Sequence, residues 1–247
     1  MDCHSAWDQS RLATSQGIKA ICKRSKHLSP HVQRYRFTIA ATALLLGFAI
    51  ASDSCWHALD DTWRDWLGFA PTNLLDFKWQ RFLTSLLLTA GGWKFMASIL
   101  MLILCAGMTE RLYGTFATMK LFLTCHLTVL AGLSVALLLV ATFNSSPSIL
   151  ALTNGHDVGP SAGYYGCLGA ILMWLPLLRR RSAFLCVLSI LLIRLIISVG
   201  HLPEGATVVS ADVAHLLALP LGASLTWLGY IVPCAEAKTL RPSLPSD

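Results

Sequence analysis

Asp157-Val158-Gly159-Pro160-Ser161-Ala162-Gly163-Tyr164-Tyr165-Gly166-Cys167-Leu168-Gly169-Ala170 opens an apolar run that continues to Leu178 and stops at Arg179-Arg180-Arg181. Asp157 and Gly159 suit a helix cap, and Pro160 suits the first turn. Ser161 then stands at the mouth of a membrane-spanning helix. At helical spacing Ser161, Tyr165 and Gly169 share one face. Ala162, Gly166 and Ala170 form a ridge of small residues beside it, which permits close approach of another helix.

A second segment answers the first. Ala211-Asp212-Val213-Ala214-His215-Leu216-Leu217-Ala218-Leu219-Pro220-Leu221-Gly222 carries an ionisable residue, His215, inside an apolar run. Ala214, Ala218 and Gly222 make its own small ridge. Two such ridges pack closely, and that packing would bring His215 toward Ser161. A serine hydroxyl is a poor nucleophile until a base takes its proton, and histidine is the usual base.

Gly159-Pro160-Ser161-Ala162 in one helix and Ala214-His215-x-x-Ala218-x-x-x-Gly222 in a later one resemble the rhomboid intramembrane serine proteases. The family pattern is Gly-x-Ser-Gly and Ala-His-x-x-Gly-x-x-x-Gly. Trp79-Gln80-Arg81-Phe82-Leu83-Thr84-Ser85 is similar to the family's Trp-Arg segment, and Glu110-Arg111-Leu112-Tyr113-Gly114 to its Glu-x-Arg loop. The likeness covers residues 37–232. It implies that Ser161 and His215 form the catalytic dyad and that the Tyr165 ring stacks on His215. It also marks departures. Relatives carry His-x-x-x-Asn in the second span to help hold the oxyanion, and here Lys94 and Ser98 take those positions. Ser85 and Thr89 stand where many relatives have histidines, and Ala162 and Ala218 replace glycines.

Composition agrees with a membrane protein. The chain has 247 residues, a length that suits one domain, with 55% apolar and only 13% charged residues. Several long apolar blocks indicate a polytopic all-α membrane protein. The net charge of +6 is concentrated in Lys19 to Arg36, at the arginine triplet and in Lys238 and Arg241. Such clusters set topology, and without interleaved aromatics they do not indicate nucleic-acid binding. The eight cysteines are scattered. None has metal-ligand spacing, and no disulfide framework is legible.

In order, residues 1–36 read as a basic cytoplasmic tail, 37–232 as the membrane domain and 233–247 as a second cytoplasmic tail. Six spans are expected, at 37–51, 83–106, 115–142, 160–178, 183–199 and 211–232, with no seventh. The loop at 52–81 holds Trp56, Trp63, Trp66 and Trp79 among aspartates, which suits a segment lying in the membrane interface. Lys94, eleven residues into the second expected span, would cost about 2.5–3.5 kcal/mol at that depth unless it snorkels, pairs or faces a wet cavity. Arg194 must face protein, water or headgroups. His126 and His201 match no motif and read as structural or interfacial.

The expectation is a six-helix rhomboid-like bundle that hydrolyses peptide bonds of membrane protein substrates within the bilayer. Ser161 is the nucleophile, His215 the base, and Lys94 and Ser98 the oxyanion candidates. No metal or organic cofactor is implied, and no oligomeric state is legible. The main alternative is a catalytically weak or inactive relative that binds membrane helices without cutting them. A transporter reading is poorly supported, because no inverted repeat is present.

Overall fold

The computed structural model describes residues 33–234. The expected basic tail at 1–36, except its end, lies outside the described residues, as does nearly all of the C-terminal tail expected at 233–247. Every regular element among the described residues is a helix. The helices are α1 (Arg36–Ala51), α2 (Asp61–Leu67), α3 (Arg81–Thr84), α4 (Trp93–Tyr113), α5 (Thr115–Phe143), α6 (Pro147–Asn154), α7 (Ser161–Met173), α8 (Leu177–Val199) and α9 (Ala206–Trp227). A bilayer offers no water to backbone N–H and C=O groups, so apolar segments of this length satisfy them internally as helices. The expected bundle consists of α1, α4, α5, α7, α8 and α9. Of these, α4, α5, α8 and α9 are long and apolar enough to cross a membrane, and α1 is shorter.

The shortest bundle member, α7, sits in the middle, packed by α4, α5, α8 and α9. Its 13 residues reach about 20 Å at 1.5 Å per residue, against a hydrocarbon core of about 30 Å. It can hold this place because it is lined with small residues. Gly163, Gly166 and Gly169 are buried. A Cβ on Gly222 of α9 would overlap the Gly166 carbonyl, and one on Gly169 would overlap the Leu219 carbonyl. Ala162, Ala214 and Ala218 pack together beside this crossing. The two small ridges expected from the sequence are therefore the surfaces that meet, and the alanines at the two glycine positions do not prevent it.

Several span boundaries differ from expectation. The second span begins at Trp93, not residue 83. Residues 81–87 instead form α3 and a 3-10 turn, Ser85–Leu87. Gly91 (φ 79°) and Gly92 (φ 58°) turn the chain into α4. The loop ahead of α2 fixes that turn: Leu59 N–H donates to Ala90 O at 3.1 Å, and Gly92 N–H to Ser54 O at 3.0 Å. A Cβ on Gly91 would overlap the His57 carbonyl. The fourth span ends at Met173 instead of 178, because Pro176 caps the next helix. Arg179-Arg180-Arg181 consequently start α8 and do not end α7. The sixth span begins at Ala206, five residues early, with Pro220 inside the helix.

At the end far from Ser161, Glu110 is 1% exposed. Its carboxylate accepts from Phe37 N–H (2.8 Å), Thr38 N–H (2.9 Å) and the Thr38 and Thr115 hydroxyls (2.7 Å each). An anion at a helix N-terminus satisfies orphan N–H groups and opposes the helix dipole. One carboxylate thus ties α1, α4 and α5 together. Beside it, the Thr109 hydroxyl on α4 reaches Cys167 O of α7 at 3.2 Å.

Candidate active site

Ser161 is the first residue of α7, and Pro160 is its N-cap residue. The expected cap by Asp157 is not made: its Oδ1 accepts from its neighbour, Val158 N–H, at 2.8 Å. Regular hydrogen bonding in α7 starts with Tyr164 N–H to Pro160 O at 3.2 Å. The N–H groups of Ser161, Ala162 and Gly163 have no acceptor among the described residues. The positive end of the helix is left open at the serine.

Ser161 lines a small pocket with Ser85, Leu130, Asp157, Gly159 and, from α9, Ala214. The next residue of α9 is His215, 6% exposed. Its ring stacks on Tyr165, with centroids 4.3 Å apart and planes 27° from parallel. Neither ring nitrogen has a hydrogen-bond partner. An imidazole held by an aromatic face, with both nitrogens unoccupied, is unusual for a buried polar group. Ser161 Oγ likewise makes no hydrogen bond among the described residues. The two groups that the sequence singled out stand at one crossing of helices but are not hydrogen-bonded to each other.

Behind His215 stands Asp212, fully buried and one turn earlier on α9. Its Oδ1 lies 3.7 Å from His215 Nδ1. The same carboxylate accepts from Ser198 Oγ at 2.5 Å and pairs with the Arg194 guanidinium at 2.7 Å, both on α8. Arg194 thus meets the requirement that a span arginine find protein, and half of its side chain remains exposed.

The family model for the Rhomboid domain matches residues 76–231, more than half of the chain. The chain belongs to the rhomboid family. No curated protein matches it. Rhomboids are intramembrane serine proteases, and the multi-pass helical bundle fits that membership.

In this rhomboid the two second-span candidates do not join Ser161 in its pocket. Lys94 lies in the first turn of α4, exposed, with no hydrogen bond or ion pair among the described residues. The burial cost expected for it arose from a span begun ten residues too early. Ser98, one turn further, is half-buried and lies toward the Tyr164 hydroxyl. Ser85, a position noted only for lacking a histidine, lines the pocket itself, and its carbonyl accepts from Gly159 N–H at 2.9 Å.

A latch of loops covers this end. Phe69 and Asp157 exchange backbone hydrogen bonds at 2.9 and 2.8 Å. Arg81 Nη1 donates to His156 Nε2 at 3.1 Å, so the proton of a neutral His156 is on Nδ1, which faces Asp65 at 3.2 Å. His126, buried on α5, donates through Nε2 to Phe82 O at 2.9 Å, a structural role. His201 is exposed. The sequence did not reveal Asp212 as a site residue. The signals were its i, i+3 spacing to His215 and an arginine needing a partner in the preceding span.

Proposed function

We propose that this rhomboid is an active intramembrane serine protease with a Ser161–His215 dyad. The observation that carries the reading is the buried, unpartnered His215 imidazole stacked on Tyr165, one turn along α7 from Ser161. Ser161 Oγ attacks the carbonyl carbon of a membrane protein segment, and its proton passes to His215. The developing oxyanion is held by the free N–H groups at the start of α7; the Ser85 hydroxyl, which donates to Phe82 O at 3.3 Å, joins them by rotating its proton away from that carbonyl. The C–N bond then breaks, and the amine leaves with the proton from His215. Water, deprotonated by the same histidine, hydrolyses the acyl ester. Asp212 orients the imidazole from the Nδ1 side once the ring moves the few tenths of an ångström that a hydrogen bond requires; such bonds are often long without substrate.

A fluorophosphonate probe tests the reading. It should label the wild type, and Ser161→Ala and His215→Ala should both abolish labelling and cleavage of a transmembrane substrate. Equal labelling of Ser161→Ala removes the serine from the mechanism.

The second reading is a pseudoprotease that holds membrane helices uncut. It is favoured by Lys94 and Ser98 lying outside the Ser161 pocket. A wild type that captures a transmembrane segment but neither takes the probe nor cleaves would establish it.

The far end carries Arg34, Arg36, Arg111, Lys120 and Arg179 to Arg181, and the Ser161 end fewer cations, Arg64, Lys78, Arg81, Lys94 and the paired Arg194. By the positive-inside rule the far end is cytoplasmic, with both termini. Accessibility tags at Arg180 and Asp65 should report opposite sides. A cytoplasmic report from Asp65 inverts the orientation.

A further inference from the structure

At the far end of the bundle, a groove runs between the start of α8 and the end of α9. Arg180, Arg181, Phe184, Leu185, Ser224 and Trp227 line it. We propose that this groove binds an anionic phospholipid, with the phosphate on the two guanidinium groups and an acyl chain along Phe184 and Leu185.

Three observations carry the proposal. The first is charge. Neither Arg180 nor Arg181 has an ion-pair partner among the described residues, and guanidinium groups bind phosphate through paired N–H donors. Glu110, a buried carboxylate at this end, is occupied by backbone and hydroxyl donors.

The second is depth. Trp227, in the last turn of α9, is 75% exposed, and exposed tryptophan marks the headgroup level of a membrane helix. The arginines sit in the first two turns of α8. The groove therefore spans the boundary between headgroups and acyl chains. Along α8 the two arginines come before Phe184 and Leu185, so the cationic groups stand nearer the headgroups and the apolar pair nearer the acyl chains.

The third is selectivity within the triplet. Arg179 turns away from the groove and lies with Leu178, Ser182 and Cys186. Three adjacent arginines thus divide into two that face the groove and one that does not. A diffuse basic belt has no such division, and basic pockets between membrane helices are the usual form of headgroup sites.

The test uses the full chain in nanodiscs of phosphatidylcholine with or without phosphatidylglycerol, and native mass spectrometry to count retained phosphatidylglycerol. The wild type should retain it. Arg180→Gln/Arg181→Gln should weaken retention about thirtyfold, from roughly fivefold per basic side chain near an anionic surface. Arg179→Gln should retain it like the wild type. Ser224→Trp fills the groove while keeping both arginines, and it should also lose the lipid; circular dichroism checks that each variant is folded. Equal loss in Arg179→Gln would reduce the effect to bulk charge. Full retention by the double variant or by Ser224→Trp would remove the site.

Discussion

The α7–α9 crossing and the first turns of α4 both stand at the Ser161 end of the bundle, and they are built differently. At the crossing, backbones touch through Gly166 and Gly222, and the one buried carboxylate is met by Ser198, Arg194 and the edge of His215. At the start of α4, Trp93, Lys94 and Met96 are exposed and Phe95 alone is buried. One region is over-determined by its contacts. The other is set by a glycine turn and by hydrogen bonds from a distant loop. Substitutions should therefore be costly at the crossing and mild on the exposed face of α4.

The largest effect expected is on chemistry at the crossing. Ser161→Ala should lower cleavage by on the order of 10⁴-fold or more, with folding unchanged. Next comes the charge pair. Asp212 is fully buried and Arg194 half-exposed. Arg194→Met leaves a buried carboxylate without its cation and should cost about 3–5 kcal/mol. Asp212→Asn leaves an arginine that can reach water and still offers Ser198 an acceptor, so it should cost clearly less. It should nevertheless lower the cleavage rate, because His215 loses its orienting carboxylate. Unfolding of both variants in detergent, compared with their cleavage rates, separates the two effects. Equal unfolding costs would show that the burial asymmetry does not matter.

Packing at the crossing gives the third test. Gly222→Ala must displace the Gly166 carbonyl and should destabilise by about 1–3 kcal/mol. Gly132 of α5 has no heavy atom within 4 Å of its missing Cβ. Gly132→Ala should stabilise by about 0.5–1 kcal/mol, the helical penalty of glycine. If both are neutral, the crossing is looser than its geometry.

The crossing was legible in the sequence and the start of α4 was not, for a physical reason. Ser161, Tyr165 and the ridge Ala162-Gly166-Ala170 announce themselves by i, i+4 spacing, a local property of one helix. Where a helix begins is not local. Gly91 takes its positive φ because residues 54 to 59 hydrogen-bond across it, and hydropathy runs on unbroken through 83–90. The same holds for Pro176, which fell inside the span expected at 160–178, and for Asp212, whose partners lie on another span.

The loop latch should respond to pH, with a smaller effect. Burial, then Arg81, holds His156 below its ordinary value, while Asp65 opposes. The folded state therefore disfavours its proton, and stability is lost as pH falls below about 6.5, the unfolded value. Asp157 is pushed up to about 7 by burial, against the Val158 N–H. Its contribution is lost as pH rises from the ordinary carboxylate value of 3.8 and is fully gone above about 7. His156→Gln should flatten the acid limb. Asp157→Asn should protect residues 61–87 from hydrogen exchange more than the wild type at neutral pH and equally at low pH. Parallel curves for wild type and both variants would leave the latch insensitive to these groups.

The smallest effect is expected at Lys94, on the exposed side of the comparison. Its ammonium lies in the first turn of α4 beside exposed Trp93, at a depth where a lysine stem packs on apolar neighbours and its charge stays hydrated. Lys94→Met removes a solvated charge that contacts no other group. Stability should change by no more than about 0.5 kcal/mol, and cleavage and probe labelling should stay near the wild type. A fall in cleavage of about 10²–10³ with labelling kept is the signature of a lost oxyanion donor. That result would bring the α4 wall into the site and make it a working surface like the crossing. Loss of both cleavage and labelling, with residual activity in His215→Ala, would make the lysine the base, as in serine–lysine enzymes. With Lys94→Met neutral, the oxyanion must be held elsewhere: by the free N–H groups of α7, and by Ser85 once its hydroxyl turns from Phe82 O. Ser85→Ala should then show the loss that Lys94→Met does not.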